Sequence, residues 1–114
     1  MTGWGDVVRV ATALPGVEEG TSYGKPAVKI RGKTIAAATA PERGSFVLHV
    51  AVVEKEVLIA TDPDTFWETD HYRGWPAVLV RYGTAADERI ETLIARAWWD
   101  RASKAQREAF GDRP

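Results

Sequence analysis

The segment KPAVKIRGKTIAAAT (residues 25–39) constrains the fold most, because apolar and polar residues alternate on both sides of Gly32-Lys33. Such alternation is typical of β-strands that bury one face. A glycine in first position suits a two-residue type II′ turn, which fixes the pairing of the two strands. The sequence therefore predicts an antiparallel hairpin with a basic face and a buried face. The basic face carries Lys25, Lys29 and Arg31, and the buried face carries Val28, Ile30, Ile35 and Ala37.

Helical spacing of apolar residues predicts three helices, over residues 4–14, 52–60 and 84–104. The second helix is expected to expose an edge made of Glu54, Lys55 and Glu56. Thr84 is expected to cap the third helix. The residues that follow this helix are expected to be frayed.

Two more strands are predicted, at residues 46–50 and 76–82, and the motif TFWE at 65–68 is a candidate start of another. The segment 17–24 is expected to be a loop, and 40–45 is expected to be a turn. Antiparallel strands interrupted by amphipathic helices predict an α+β, two-layer sandwich with the helices on one face of the sheet. A length of 114 residues fits a single domain, residues 1–114.

Composition excludes several classes of protein. The chain has no cysteine, which rules out disulfides and thiolate metal sites. No apolar run approaches a membrane span and the N-terminus lacks a signal-peptide pattern, so we expect a cytoplasmic protein without a membrane partner. The net charge of −1 argues against binding nucleic acid through bulk positive charge. The charges are uneven, however: residues 20–50 carry five lysines or arginines against one acidic residue.

No motif for catalysis or metal binding is present. His49 and His71 show no HxH or HxxxH spacing, and the serines lie in no GxSxG context. A phosphate-binding glycine loop and a dinucleotide fingerprint are also missing. We therefore expect no enzyme activity, no metal and no cofactor. An enzyme that used His71 as a general base would lack a second catalytic group.

The basic face of the hairpin is a candidate phosphate-binding surface. His49 and Arg81 join it if their strands lie alongside. The alternative is an ordinary solvated sheet face, where lysine and arginine are common.

The stretch TDHYRGWP (residues 69–76) is a second candidate site, since it places His71, Tyr72 and Trp75 close together and follows Trp67. Aromatic side chains with a polar atom suit stacking on a planar ligand. They equally suit a packing corner that seals the edge of a core. Gly74 and Pro76 favour a turn into the last strand.

Four pieces of the chain, in order, resemble the MmcQ/YjbR family of small bacterial proteins. They are ALPGVEE (13–19), YGKPAVKIRGKTIA (23–36), DPDTFWETDHYRGWPAVLV (62–80) and DERIETLIARAWW (87–99). The resemblance implies an α-β(3)-α-β(2)-α domain similar to type III secretion chaperones, with a strand near residues 65–69. It also implies DNA binding. The family's recurring residues fall here on Gly24, Pro26, Lys29, Gly32, Lys33, His71, Tyr72 and Trp75. The chain departs from the family pattern at Tyr23, where tryptophan is commoner, and at Ala27, where an aromatic residue is common.

Two hypotheses follow. The first is a non-enzymatic DNA-binding or regulatory domain, whose phosphate contacts would be Lys25, Lys29, Arg31, Lys33 and Arg81. In this hypothesis the aromatic residues His71, Tyr72 and Trp75 would be stacking groups. The second is a module that binds an anionic small molecule or a protein partner, with ligand contacts from His71, Tyr72 and Trp75.

Overall fold

The computed structural model describes residues 1–39 and 43–114, and within these ranges it shows a six-stranded antiparallel sheet with four α-helices. The strands are β1 (Val17–Ser22), β2 (Lys25–Ile30), β3 (Lys33–Ala38), β4 (Ser45–His49), β5 (Phe66–Trp67) and β6 (Ala77–Arg81). The helices are α1 (Trp4–Thr12), α2 (Val52–Thr61), α3 (Asp87–Arg101) and α4 (Lys104–Phe110). The strand order is β1-β2-β3-β4-β6-β5. The α+β class predicted from the sequence is confirmed.

The core lies between the sheet and the helices. Trp98 of α3 is fully buried at its centre, and its indole Nε1 donates to the Pro15 carbonyl at 2.8 Å. The strands supply alternating residues to this core, as predicted for β4 and β6: Phe46, Leu48, Val78 and Val80. The opposite, outer face of the sheet carries a smaller apolar cluster of Val47, Ala77 and Leu79.

The segment predicted as a loop at 17–24 contains strand β1. Its burial pattern gives no alternation, because β1 lies at the edge of the sheet and Glu18, Glu19 and Gly20 are all exposed. Hydrogen bonding to β2, rather than burial, makes it a strand. The connecting turn is Tyr23-Gly24, where both residues have positive φ (50° and 76°), as a type I′ turn requires.

The β2–β3 turn lies one residue earlier than predicted, at Arg31-Gly32, with φ values of 53° and 75°. The pairing is therefore Ile30 with Lys33 and Lys29 with Thr34, and it shifts at a bulge between Val28 and Lys29. A bulge adds one unpaired residue to a strand. As a result Ile35 and Ala36 both enter the core, whereas Ala37, predicted to be buried with Ile35, pairs with Ala27 and Val47.

The C-terminal residues, predicted to be frayed, form helix α4. Ser103 and Gln106 make a reciprocal capping box, with Ser103 N donating to Gln106 Oε1 at 2.8 Å and Gln106 N donating to Ser103 Oγ at 3.2 Å. Phe110 packs on Trp98 at a ring distance of 4.9 Å. At the start of α3 the N-cap position is Ala86 rather than Thr84, whose hydroxyl instead accepts from Ala86 N at 3.4 Å.

The turn predicted at 40–45 includes residues 40–42, which lie outside the described residues. Across the described part of the chain, no helix is long and apolar enough to cross a membrane. In that same part, no group of three or more His, Asp or Glu side chains is placed to hold a metal ion.

Candidate functional site

The first three basic residues of the hairpin lie in two places, on strand β2 and in the turn that follows it. Lys25 and Lys29 alternate with the buried Val28 and Ile30, which places both lysines on the outer face of the sheet, and Arg31 lies exposed in the turn. We call these three residues, Lys25, Lys29 and Arg31, the hairpin strip. None of them forms an ion pair with any residue in 1–39 or 43–114.

Strand β1 places negative charge beside the hairpin strip. Glu18 lies directly across from Lys29, and residues paired across antiparallel strands share a face. The Lys29 side chain also lies over Gly20, where an added Cβ would be 3.5 Å from Lys29 Cδ. The outer face is therefore less positive than the sequence of the hairpin alone suggested.

Arg81, predicted to extend the basic surface, lies apart from the hairpin strip. Strands β3 and β4 separate β6 from β2, and three strand spacings amount to about 14 Å. The guanidinium of Arg81 lies over the Trp67 ring, 4.9 Å from its centroid. Its Nη1 donates to the Pro63 carbonyl at 2.9 Å. Arg81 thus holds the β5 segment in place, and its guanidinium is engaged there, three strand positions away from Lys29.

Lys33, predicted to lie in the turn, is the first residue of β3. Its partner across the turn is Ile30, a core residue, so Lys33 lies toward the helices. There it lines a cavity of about 380 Å³ at the end of the sheet, which we call the end cavity. The other lining residues are His49, Val50, Ala51, Pro76, Asp100 and Arg101. Burial, together with the positive charge of Arg101, lowers the pKa of His49 to about 4.

The corner formed by residues 68–76 is fixed by Lys55. Lys55, predicted to be exposed, is buried, with only 3% of its side chain exposed. Its Nζ donates to the carbonyls of Tyr72 at 2.8 Å and Trp75 at 2.7 Å, and it forms an ion pair with Glu68 at 2.8 Å. Three partners match the three donors of an ammonium group. The prediction failed because the corner folds over α2 and covers the lysine.

The three aromatic residues predicted as ligand contacts have different environments. Tyr72 packs against the outer apolar cluster of Val47, Ala77 and Leu79. His71 is exposed and contacts the edge of Tyr72 at a ring distance of 5.0 Å, with no hydrogen bond or ion pair to any described residue. Trp75 is 63% exposed. This arrangement is that of a packing corner with two exposed rings.

Comparison with known proteins agrees with this architecture. The crystal structure of Deinococcus radiodurans protein DR2400, which carries a DUF419 domain, superposes with a TM-score of 0.74 at 20% identity, covering 97% of this chain and 89% of that one. The YjbR family model matches residues 12–99, most of the chain. The chain belongs to the YjbR family. Curated relatives are the uncharacterized proteins Rv2570 of Mycobacterium tuberculosis and Mb2600 of Mycobacterium bovis, each 29% identical over 96% of both chains.

The YjbR match contains the hairpin strip and the corner but ends before Arg101 and α4. Sequence reasoning missed Lys55, Glu18 and Arg101 as residues that shape these surfaces. A signal existed for Lys55, which is three residues before the buried Leu58 on the apolar side of α2. Arg101 likewise follows the buried Ala97 by one helical turn. Glu18 gave no signal, because its effect depends on a strand pairing that the sequence does not indicate.

Proposed function

We propose that this YjbR-family protein is a non-enzymatic, nucleic-acid-binding regulatory domain that contacts phosphates through the hairpin strip. One observation carries the proposal: Lys25, Lys29 and Arg31 lie on one hairpin without an ion pair to any described residue. Unpaired lysine and arginine side chains are the usual contacts to the phosphate backbone. Lys33 and Arg81, included in the sequence-based hypothesis, are left out because each lies elsewhere.

The shape of the hairpin strip favours one strand of nucleic acid rather than the width of a duplex. From Lys25 to Arg31 the extended chain covers about 20 Å at 3.3 Å per residue. Phosphates along one strand of DNA repeat about every 3.4 Å of helix axis. The strip is thus long enough for several phosphates but only one strand of the sheet wide.

Tyr23 adds a stacking group at one end of the strip. It lies in the β1–β2 turn, two residues from Lys25, and its side chain is fully exposed. An exposed aromatic ring beside cations suits unpaired bases, whose faces are free to stack. We therefore expect single-stranded DNA to bind at least as tightly as duplex DNA.

The neighbouring acidic residues limit the affinity. Glu18 faces Lys29, and Glu19 is exposed on the same edge strand. With three cationic contacts, the slope of log K against log salt for a single strand is about −2. Binding should therefore weaken about 15-fold between about 50 and 200 mM salt.

The non-enzymatic part of the proposal rests on the surroundings of the exposed histidine. Among the described residues His71 has no hydrogen bond or ion pair that would orient its ring as a general base, and the proposal assigns it no catalytic role. A cytoplasmic location, where nucleic acid is available, stays a prediction.

Fluorescence anisotropy with a labelled single strand and the matching duplex tests the proposal at both salt concentrations. The double variant Lys29→Glu/Arg31→Glu should abolish binding. The control Arg9→Glu/Lys104→Glu makes the same change in net charge, at exposed positions of α1 and α4. This control should retain most of the binding affinity for nucleic acid. Absence of binding by the unmodified protein at about 50 mM salt, or equal losses in both double variants, contradicts the proposal.

A further inference from the structure

The end cavity brings together residues from four parts of the chain. Lys33 begins β3, His49 ends β4, Pro76 precedes β6, and Asp100 and Arg101 end α3. Its volume of about 380 Å³ lies within the usual range of small-molecule sites. Its lining contains Lys33 but none of Lys25, Lys29 and Arg31, so the end cavity does not include the hairpin strip.

The walls of the end cavity are held by backbone contacts. Val50 N donates to the Pro76 carbonyl at 3.1 Å. The adjacent Trp75 carbonyl accepts from the buried ammonium of Lys55 at 2.7 Å. A site whose walls are already fixed loses little conformational entropy when a ligand binds.

Arg101 is the residue in the end cavity that most needs a partner. Its guanidinium is half-buried, and Nη1 donates to the Ala97 carbonyl at 3.0 Å. It forms no ion pair with any described residue, although a guanidinium has five donors. Burial lowers the pKa of Arg101, and the negative charge of the neighbouring Asp100 offsets this effect only in part. A bound anion would supply the missing negative charge.

The other charged groups around the end cavity leave room for an anion. Lys33 is exposed at the rim and has no ion pair within the described residues. Asp100 is the acidic lining residue, and its carboxylate is 3.3 Å from the guanidinium of Arg113. His49 is uncharged near neutral pH, so it offers one donor and one acceptor without adding charge.

We propose that the end cavity is a binding site for a small oxyanion, a phosphate or carboxylate group of a small metabolite, held by Arg101 and Lys33 with His49 as a hydrogen-bonding partner. Arginine binds such groups through two parallel hydrogen bonds. The cavity accommodates the anionic group and a small body attached to it. This site lies outside the hairpin strip and does not depend on nucleic-acid binding.

NMR titration of the ¹⁵N-labelled protein with inorganic phosphate, acetate and chloride at constant ionic strength tests the site. We expect saturable amide shifts at residues 33, 49–51 and 100–101 with phosphate, acetate or both, and not with chloride. A response to phosphate alone identifies a phosphate site, and a response to acetate alone identifies a carboxylate site. Shifts that fail to saturate, or that chloride reproduces, overturn the proposal.

Arg101→Gln should weaken phosphate or acetate binding about ten- to hundredfold, because charge-assisted hydrogen bonds are lost. Lys25→Glu/Lys29→Glu, which leaves the turn beside Lys33 intact, should leave this binding unchanged and so separates it from nucleic-acid binding. If Arg101→Gln does not fold, Lys33→Gln at the exposed rim replaces it, with an expected loss of about tenfold. Unchanged affinity in the folded variant excludes the proposed contacts.

Discussion

The ammonium of Lys55 lies 2.8 Å from the carboxylate of Glu68, and the lysine is almost completely buried. This ion pair joins α2 to the corner that precedes β6. Glu68 retains some solvent contact, with 28% of its side chain exposed. The pair therefore has a structural role, which differs from that of the unpaired cations on the hairpin.

Replacing Lys55 by methionine should destabilise the protein by about 3 kcal/mol, because Glu68 and two backbone carbonyls lose their buried partner. Urea unfolding followed by tryptophan fluorescence measures this change in the free energy of unfolding. Lys104→Met is the matched control, since the Lys104 side chain is 91% exposed. A loss below about 1 kcal/mol for Lys55→Met would mean that the corner is held by packing alone.

Replacing Ser103 by alanine should lower the stability of α4 by about 1 kcal/mol, because the N-cap hydroxyl satisfies the Gln106 amide. Hydrogen exchange of the α4 amides measures the local effect. Ser22→Ala in the edge strand serves as a control with the same chemical change. Equal exchange rates for α4 in both variants would show that the Ser103 cap does not stabilise this helix.

Stability should fall as the pH falls from about 6.5 to about 4, the interval between the ordinary pKa of histidine and the lowered pKa of His49. In this window the unfolded chain binds the proton more readily than the folded chain, so acid favours unfolding. The contribution of the neutral, buried His49 to the free energy of unfolding is fully present above pH 6.5 and is lost progressively below it. His49→Gln should flatten this part of the profile in chemical denaturation, whereas His71→Gln should leave it in place. Identical profiles for the two variants would contradict the assignment.

Replacing Arg81 by alanine should leave nucleic-acid binding unchanged while lowering stability by about 1 kcal/mol, because its contacts with Trp67 and the Pro63 carbonyl are internal. Anisotropy and thermal unfolding measure the two effects, with Lys29→Ala as the comparison. A larger loss of nucleic-acid binding for Arg81→Ala than for Lys29→Ala would support the sequence-based hypothesis, in which Arg81 is one of the phosphate contacts.

The spacing of apolar residues in the sequence predicted those strands and helices that bury one face in the core. Alternating apolar residues around Phe46 and Val78 were sufficient to predict β4 and β6, and the apolar stripe that includes Trp98 was sufficient to predict α3. Each of these elements buries one face in the core, so the apolar pattern reveals it. Strand β1 could not be found this way, since an exposed edge strand needs no apolar alternation.

The position of the β2–β3 turn depends on Arg31, a non-glycine residue with positive φ, which sequence preference disfavours. The positive φ of Arg31 was the main cause of error in the predicted candidate site. Because the turn lies one residue earlier and β3 contains a bulge, Lys33 is in the strand rather than in the turn, and Ala37 pairs with Ala27 rather than with Val28.

That shift in the hairpin has a consequence for regulation. Because Lys33 pairs with Ile30, the cations of one short hairpin serve opposite sides of the sheet. A phosphate in the end cavity and a nucleic-acid strand on the outer face would not compete for space. Both would contact the same two strands on either side of Arg31-Gly32. Each proposed ligand would bind without the other, and the two would be neighbours only across the Arg31-Gly32 turn, through its backbone geometry and its charges.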